Sequence, residues 1–204
     1  MKVALIGATG NVGTRILAEL RRRGHTVTAI ARDVAKVPAQ DGVTARAGDT
    51  GDAAGLAPLL AGHDLVISST RFQGLDLPSL LSAITTAGVK RLLMVGGAGS
   101  LEVAPGVALI DTPEFPAAYK AEAGAGRDVL NALRQGDTGV EWTFLSPSAF
   151  FFAGERTGRF RLADDQLLVD ATGKSQVSYE DFAVALVDEV ESPAHVNRRF
   201  TVGY

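Results

Sequence analysis

Short apolar runs alternate with longer segments of helical periodicity along most of the chain. The first run, Val3 to Ile6, predicts a buried strand, and the segment after it predicts a helix that ends at Gly24. Further strands are predicted in HTVTAIA, GVTARAGD, DLVISST, VKRLLMVGG and VEWTFLSP, and further helices in AAGLAPLLAG, LPSLLSAITTAG and Ala117 to Gln135. Strands without in-and-out alternation, separated by helices, are typical of a parallel sheet with helices on both faces.

The alternation changes beyond Pro147. The stretch FFAGERTGRFRLADDQLLVDATG predicts a loop and a hairpin, SYEDFAVALVDEVE a helix that opens on Ser178, and RRFTVGY a last strand. We therefore expect one α/β domain over residues 1–204. Within it, a doubly wound parallel sheet occupies residues 1–147, and a small C-terminal lobe on the substrate side occupies residues 148–204.

Three glycines stand where the first strand hands over to the first helix, in the motif GATGNVG. A helix that starts there presents free N–H groups at its positive end, which attracts phosphate. Gly7 permits a tight turn, Gly10 a close approach to a diphosphate, and Gly13 close packing of the helix on the strand. The spacing and position predict a Rossmann-type dinucleotide site rather than a turn without a ligand, with Thr9, Asn11 and Val12 completing the turn.

The end of the second strand, AIARD, bears on which dinucleotide binds. An arginine there would accept the 2′-phosphate of NADP, whereas an acid would bind the ribose hydroxyls of NAD. Arg32 favours NADP(H), and Asp33 leaves NAD(H) as the alternative. Asp49, in AGDTGD, is predicted either to meet the adenine end or to cap the helix that begins near Ala53.

Composition narrows the class of protein and its partners. The chain is 46% hydrophobic and 21% charged, with a net charge of −3, which gives no sign of a nucleic-acid partner. It has no cysteine, and its three histidines are far apart, so thiol chemistry is excluded and a metal site is not predicted. No apolar run has the length of a membrane span. We expect a cytoplasmic protein, a monomer or homodimer, that acts on a small molecule.

Several motifs together resemble one known family. GATGNVG, GDTGD, VISS, VGGAGSL, WTFLSPSAFF and GERTG resemble the atypical short-chain dehydrogenase/reductases of the NADH-flavin reductase group. That group is close to the NmrA-like proteins and to the biliverdin reductase B and flavin reductase type, and the resemblance covers essentially the whole chain. It implies a Rossmann-type fold, a nicotinamide cofactor and hydride transfer to a free flavin.

Typical short-chain reductases carry a catalytic tyrosine and a lysine four residues later. This chain has Tyr119, but Ala123 stands four residues on, and the adjacent Lys120 would point about 100° away on a helix. The missing pair argues against alcohol–ketone chemistry and leaves flavin reduction open, because stacking two rings in attack geometry suffices. Tyr119 is then either catalytic or a packing residue at the helix start.

The remaining candidates lie at the carboxyl ends of the strands, where ligands bind in open α/β sheets. The cofactor candidates are Ser68, Ser69, Thr70, Gly96, Gly97, Ser146 and Pro147, of which Ser69 and Ser146 join Tyr119 as catalytic candidates. The acceptor candidates are Arg71, Phe72, Phe151, Glu155 and Arg156, although the phenylalanines would also suit a core and the last two residues a mutual ion pair.

The sequence thus predicts an NAD(P)H-dependent oxidoreductase that passes hydride to a flavin or a similar flat conjugated acceptor. Because the catalytic pair is missing, an NmrA-like redox sensor without catalysis is the alternative. An epimerase or dehydratase acting on a sugar nucleotide ranks third, since the C-terminal third leaves little room for such a substrate.

Overall fold

The computed structural model describes residues 1–204 and contains twelve strands and five α-helices. The strands are β1 Lys2–Ile6, β2 Thr26–Ala31, β3 Val43–Ala47, β4 Leu65–Ser68, β5 Arg91–Val95, β6 Glu102–Ala104, β7 Val107–Ala108, β8 Glu141–Pro147, β9 Phe150–Phe152, β10 Arg161–Ala163, β11 Gln176–Ser178 and β12 Arg198–Gly203. The helices are α1 Asn11–Arg22, α2 Ala53–Leu60, α3 Leu77–Thr86, α4 Lys120–Gln135 and α5 Tyr179–Glu191.

Eight of the strands form one sheet in the order β10-β12-β8-β5-β4-β1-β2-β3. All neighbours in it pair in parallel, except that β10 runs antiparallel to β12. The chain moves outward from β1 in one direction through β2 and β3, and in the other through β4, β5, β8 and β12. The predicted doubly wound parallel sheet is confirmed, and its switch point lies between β1 and β4.

Two apolar cores lie on opposite faces of this sheet. One includes Val3 and Leu5 with apolar residues of α1 and α5, and the other includes Ala4 and Ile6 with residues of α2, α3 and α4. Because both faces are covered, the successive residues from Val3 to Ile6 of β1 are all buried, which explains why the sequence shows runs rather than alternation.

The helices begin in two different ways. Side chains cap three of them: Asp52 accepts from Gly55 N–H at 2.9 Å, Asp76 from Ser79 N–H at 3.0 Å, and Ser178 from Asp181 N–H at 3.0 Å. The predicted opening of α5 on Ser178 is therefore confirmed. By contrast, α1 starts at Gly10 with no side-chain cap and no acid in its first turn. Its N-terminus is left open to a ligand.

The local hairpin predicted for the C-terminal third is wrong. Strand β9 pairs in parallel with β11, and β10 pairs with β12, so neither strand pairs with its neighbour in sequence. Contacts distant in sequence decide this pairing, since Phe151 packs against Tyr179 and Phe182 of α5. Strand β12 lies in the main sheet beside β8, and α5 packs against α1.

Two further features were not expected from the sequence. A short β6–β7 hairpin follows β5. Helix α4 starts at Lys120 after a 3-10 turn at Ala117–Tyr119, rather than at Ala117. None of the helices has both the length and the apolar character needed to cross a bilayer.

Candidate active-site cleft

The turn between β1 and α1 is closed by two glycines. Gly7 has a φ of +81°, and a Cβ added there would collide with the carbonyl oxygen of Ser69 at the end of β4. A Cβ on Gly13 would collide with the carbonyl oxygen of Gly7. Gly10 differs, because the nearest atom to its added Cβ would be the Gly7 oxygen at 3.5 Å. Two glycines therefore shape the turn, while Gly10 is exposed at its mouth.

The N-terminus of α1 offers main-chain donors to a ligand. The N–H groups of Asn11, Val12 and Gly13 donate to no acceptor within the protein, and no acidic side chain stands in this turn. Converging N–H groups at the positive end of a helix bind phosphate well. A diphosphate fits this turn because Gly10, which has no side chain, leaves its mouth open.

A cleft of about 790 Å³ runs from this turn across the carboxyl ends of β4, β5 and β8. The sequence-predicted residues that line it are Gly10, Asn11, Val12, Ser69, Thr70, Arg71, Phe72, Gly96, Gly97, Tyr119, Pro147 and Phe151. The structure thus brings most of the cofactor candidates and three of the acceptor candidates into one cavity, at the position that open α/β sheets use for ligands.

Two candidate serines lie beneath the cleft rather than on its surface. Ser68 is buried, and its hydroxyl lies 3.1 Å from the Thr70 hydroxyl. Ser146 is fully buried, and its Oγ has no hydrogen-bond partner. Of the three catalytic candidates, only Ser69 and Tyr119 therefore line the cleft. Thr9 is half-buried and does not line it.

Three polar residues lie outside the cleft, beyond the ends of β2 and β3. Asp33 caps a 3-10 turn at Val34–Lys36, accepting from Ala35 N–H at 3.2 Å. Arg32 beside it is exposed and forms no hydrogen bond or ion pair within the chain. Asp49 accepts from Gly51 N–H at 2.8 Å, so the alternative that made it the α2 cap is wrong, since Asp52 has that role.

Glu155 and Arg156 also lie outside the cleft. The Arg156 guanidinium donates to both carboxylate oxygens of Glu19 on α1, at 2.9 and 3.0 Å. The carbonyl oxygen of Glu155 accepts from the Ser178 hydroxyl at 2.8 Å. The predicted mutual pair is therefore not formed, because Glu19 takes the arginine.

Aromatic side chains dominate the cleft wall away from the α1 turn. Phe72 is nearly buried and stacks on Phe144, with ring centroids 5.8 Å apart. Phe151 meets Tyr179 edge to face at 4.6 Å. The six aromatic residues that line the cleft are Phe72, Phe115, Tyr119, Phe150, Phe151 and Tyr179. Such a wall suits a flat, conjugated ligand.

Comparison with known proteins settles the family. A family model described as NAD(P)H-binding matches residues 7–193. The chain belongs to this NAD(P)H-binding family. YwnB, an uncharacterized protein of Bacillus subtilis (strain 168), is 43% identical over 210 residues, covering 99% of this chain and 98% of YwnB.

Two other members of this comparison carry functional names. A structure from Streptococcus pneumoniae TIGR4, described as "a putative NADH-flavin reductase", is 36% identical with a TM-score of 0.83, covering 100% of this chain and 99% of that one. An NAD(P)H azoreductase of Xenophilus azovorans is 25% identical, and the match covers 98% of this chain and 67% of the azoreductase. The predicted resemblance and the NAD(P)H-binding domain are confirmed.

One charged residue that lines the cleft of this NAD(P)H-binding protein is not predictable from the sequence. The Glu122 carboxylate, on α4, accepts from the N–H groups of Phe72 at 2.7 Å and Gln73 at 3.1 Å. It lies 3.6 Å from the Arg71 guanidinium, which is mostly exposed. No local pattern marks this contact, because its partners are main-chain groups some fifty residues away.

Proposed function

We propose that the protein is an NAD(P)H-dependent reductase that passes hydride to a flavin or a similar flat, conjugated acceptor. The observation that carries this proposal is the continuity of a single cleft. The cleft begins at the open N-terminus of α1, which suits a diphosphate, and ends at an aromatic wall, which suits a flat ring. The names of the azoreductase and flavin-reductase relatives support the same class of reaction.

In this proposal the residues of the chain bind and orient the dinucleotide and the acceptor, and they exclude water from the space between them. A bound nicotinamide supplies the hydride. The N–H groups of Asn11 and Val12 would hold the diphosphate, and Gly97 would let a ring lie close to the main chain after β5. Phe72 and Phe151 would flank the acceptor and keep water from the reacting faces.

The surroundings of Tyr119 favour an acceptor that needs no proton from the protein. Tyr119 is 65% exposed at the start of α4. Four residues on, Ala123 faces Gly99 so closely that a Cβ added to Gly99 would lie 2.7 Å from the Ala123 Cβ. The position that holds a lysine in typical short-chain reductases is therefore occupied by an alanine, and the tyrosine–lysine pair of a general acid is not formed. A flavin accepts hydride at a ring nitrogen, and the proton that completes its reduction can come from water.

Steady-state oxidation of NADPH with FMN, riboflavin and a quinone tests this function. We expect turnover above the uncatalysed background with at least one of these acceptors. Tyr119→Phe should keep kcat within about twofold, because general acid catalysis is typically worth 10²-fold or more. Absence of turnover with every acceptor would refute the reductase, and affinities that differ for NADP⁺ and NADPH would then favour the sensor. A large loss of kcat in Tyr119→Phe would refute the water-proton mechanism.

A cofactor preference for NADPH is the second part of the proposal. Arg32 is exposed without a partner, whereas Asp33 is engaged in its 3-10 cap, so the arginine is the group free to meet a 2′-phosphate. We expect Arg32→Ala to raise the Kd of NADPH about tenfold or more and to leave that of NADH unchanged.

Isothermal titration with both nucleotides measures this effect. Lys36→Ala is the matched control, because Lys36 is an exposed cation of the same segment, placed against Asp33. It should change the Kd of NADPH less than twofold by the usual weakness of exposed charges. Equal losses for NADPH and NADH in Arg32→Ala would contradict the proposed role.

A further inference from the structure

The Glu122 carboxylate lies at the start of a helix but binds main-chain groups outside that helix. Glu122 is the third residue of α4, in the first turn, where an acid commonly serves its own helix. Helix α4 nevertheless has no side-chain cap at Tyr119. Both Glu122 oxygens instead reach the turn after β4 and accept from Phe72 and Gln73 N–H. The carboxylate thus joins two elements that are separate in the sequence.

The same face of α4 also seats the Phe72 ring. Gly126 follows Glu122 by about one helical turn, and a Cβ on Gly126 would lie 2.8 and 2.9 Å from two carbons of that ring. The ring in turn stacks on Phe144 of β8. Main chain and side chain of Phe72 are therefore both fixed from α4, and the ring forms part of the cleft wall.

The ion pair with Arg71 does not account for this arrangement. The Arg71 side chain is 79% exposed, and its nearest approach to Glu122 is 3.6 Å, so this pair is worth little. The two N–H groups are bound at 2.7 and 3.1 Å, and hydrogen bonds to a carboxylate are the stronger kind. The role of Glu122 is therefore to hold the backbone of the turn.

We propose that Glu122 is a positioning residue for the acceptor. It holds the turn at residues 71–73 so that Phe72 keeps its place in the aromatic wall, while no hydrogen bond or ion pair joins it to the α1 turn that would bind the diphosphate. This inference rests on the proposed function, since it assigns the residue to the acceptor side of the same cleft. Loss of the carboxylate should then weaken acceptor binding and spare the dinucleotide.

Glu122→Gln is the test variant, because glutamine has a similar shape but offers one neutral amide oxygen in place of two charged carboxylate oxygens. One of the two N–H groups then loses its acceptor. We expect the KM for FMN to rise about tenfold, the effect of one lost charge-assisted bond, with kcat and the KM for NADPH within about twofold. Hydrogen exchange at the Phe72 and Gln73 amides should accelerate. Asp128→Asn is the matched control, since Asp128 is an exposed acid of the same helix that does not line the cleft.

The outcomes separate this proposal from its premise. An unchanged KM for FMN, or KM values for FMN and NADPH that rise equally in Glu122→Gln, would overturn the positioning role, because general loosening would affect both. An equal effect in Asp128→Asn would also overturn it. If the wild-type protein shows no turnover, the reductase function fails by itself, and quenching of FMN fluorescence then gives the Kd instead. A Kd raised in Glu122→Gln alone supports the positioning role, and an unchanged Kd or no FMN binding by the wild type refutes it.

Discussion

Gly13→Ala is expected to destabilise the protein by about 3 kcal/mol, the range of severe overpacking. The added methyl group would collide with the Gly7 oxygen and lie 3.0 Å from the Gly7 carbonyl carbon and 3.2 Å from the Ala8 Cα. All three are main-chain atoms of the β1–α1 turn, so no flexible side chain can move aside. The sign of this change in the free energy of unfolding is informative, because a glycine-to-alanine replacement at an open helix position stabilises a protein by about 0.5–1 kcal/mol.

Gly10→Ala is the matched control, which we expect to keep its stability and to lose affinity for NADPH. Gly10 has φ −75° and ψ 168°, which any residue adopts, and its added Cβ would have no neighbour nearer than 3.5 Å. We expect its free energy of unfolding to change by less than about 0.5 kcal/mol, as at ordinary surface sites. The methyl group would stand at the mouth of the turn and weaken NADPH binding about tenfold or more.

Urea denaturation and NADPH titration of both variants check this pair of expectations. The unliganded stability should fall only in Gly13→Ala, and the affinity of the folded protein should fall in Gly10→Ala. A stable Gly13→Ala protein would show that the turn can open, which contradicts the close packing. Unchanged NADPH affinity in Gly10→Ala would place the diphosphate elsewhere and remove the support for the reductase.

The main sheet was predictable because its signals are local. Strands such as β5 are buried on both faces and appear in the sequence as unbroken apolar runs, and α1 shows its buried face directly. The segment between Phe150 and Ala163 gave no such signal. Its strands are three residues long, and their partners lie in β11 and β12, so turn residues alone suggested a local hairpin that does not form.

The candidate site divides in the same way. The β1–α1 turn was predictable, since one short motif contains both the steric and the hydrogen-bonding reasons for its shape. Glu122 and Arg156 could not be assigned, because their partners lie far away in the chain: main-chain N–H groups for Glu122, and the Glu19 carboxylate for Arg156. A charged residue reveals neither kind of partner in a single sequence. Only the fold brings them together.

Glu19→Gln is expected to lower the free energy of unfolding by about 3 kcal/mol at neutral pH, the lower end for a broken buried ion pair. The Glu19 side chain is 4% exposed on α1 and binds Arg22 at 2.7 Å, Arg23 at 2.8 Å and Arg156 at 2.9 Å. The lower end of that range applies because the Arg22 and Arg156 side chains are half-exposed and can be solvated once the carboxylate is lost. Arg23 is only 14% exposed and would lose its buried partner.

The effect should depend on pH with a definite sign. Burial alone would raise the pKa of Glu19, but hydrogen bonds from Arg22, Arg156 and Arg23 outweigh it and hold the pKa well below the ordinary value of 4.5. The folded state therefore favours the ionised carboxylate, whose contribution to stability is complete above that pH and declines as the pH falls below it. The stability difference between wild type and Glu19→Gln should be constant from about pH 6 to 8 and narrow in acid.

Urea denaturation of wild type and both variants, from pH 8 down to strongly acidic pH, measures the difference without adding a screening salt. Asp188→Asn is the control, because Asp188 binds the same Arg23 but is 53% exposed, so its loss should cost less than about 1 kcal/mol. A difference that stays constant down to strongly acidic pH would show that the ionised form of Glu19 is not what the fold stabilises. Equal losses in the two variants would show that the ion pairs of Arg23, rather than the burial of the Glu19 carboxylate, account for the loss of stability.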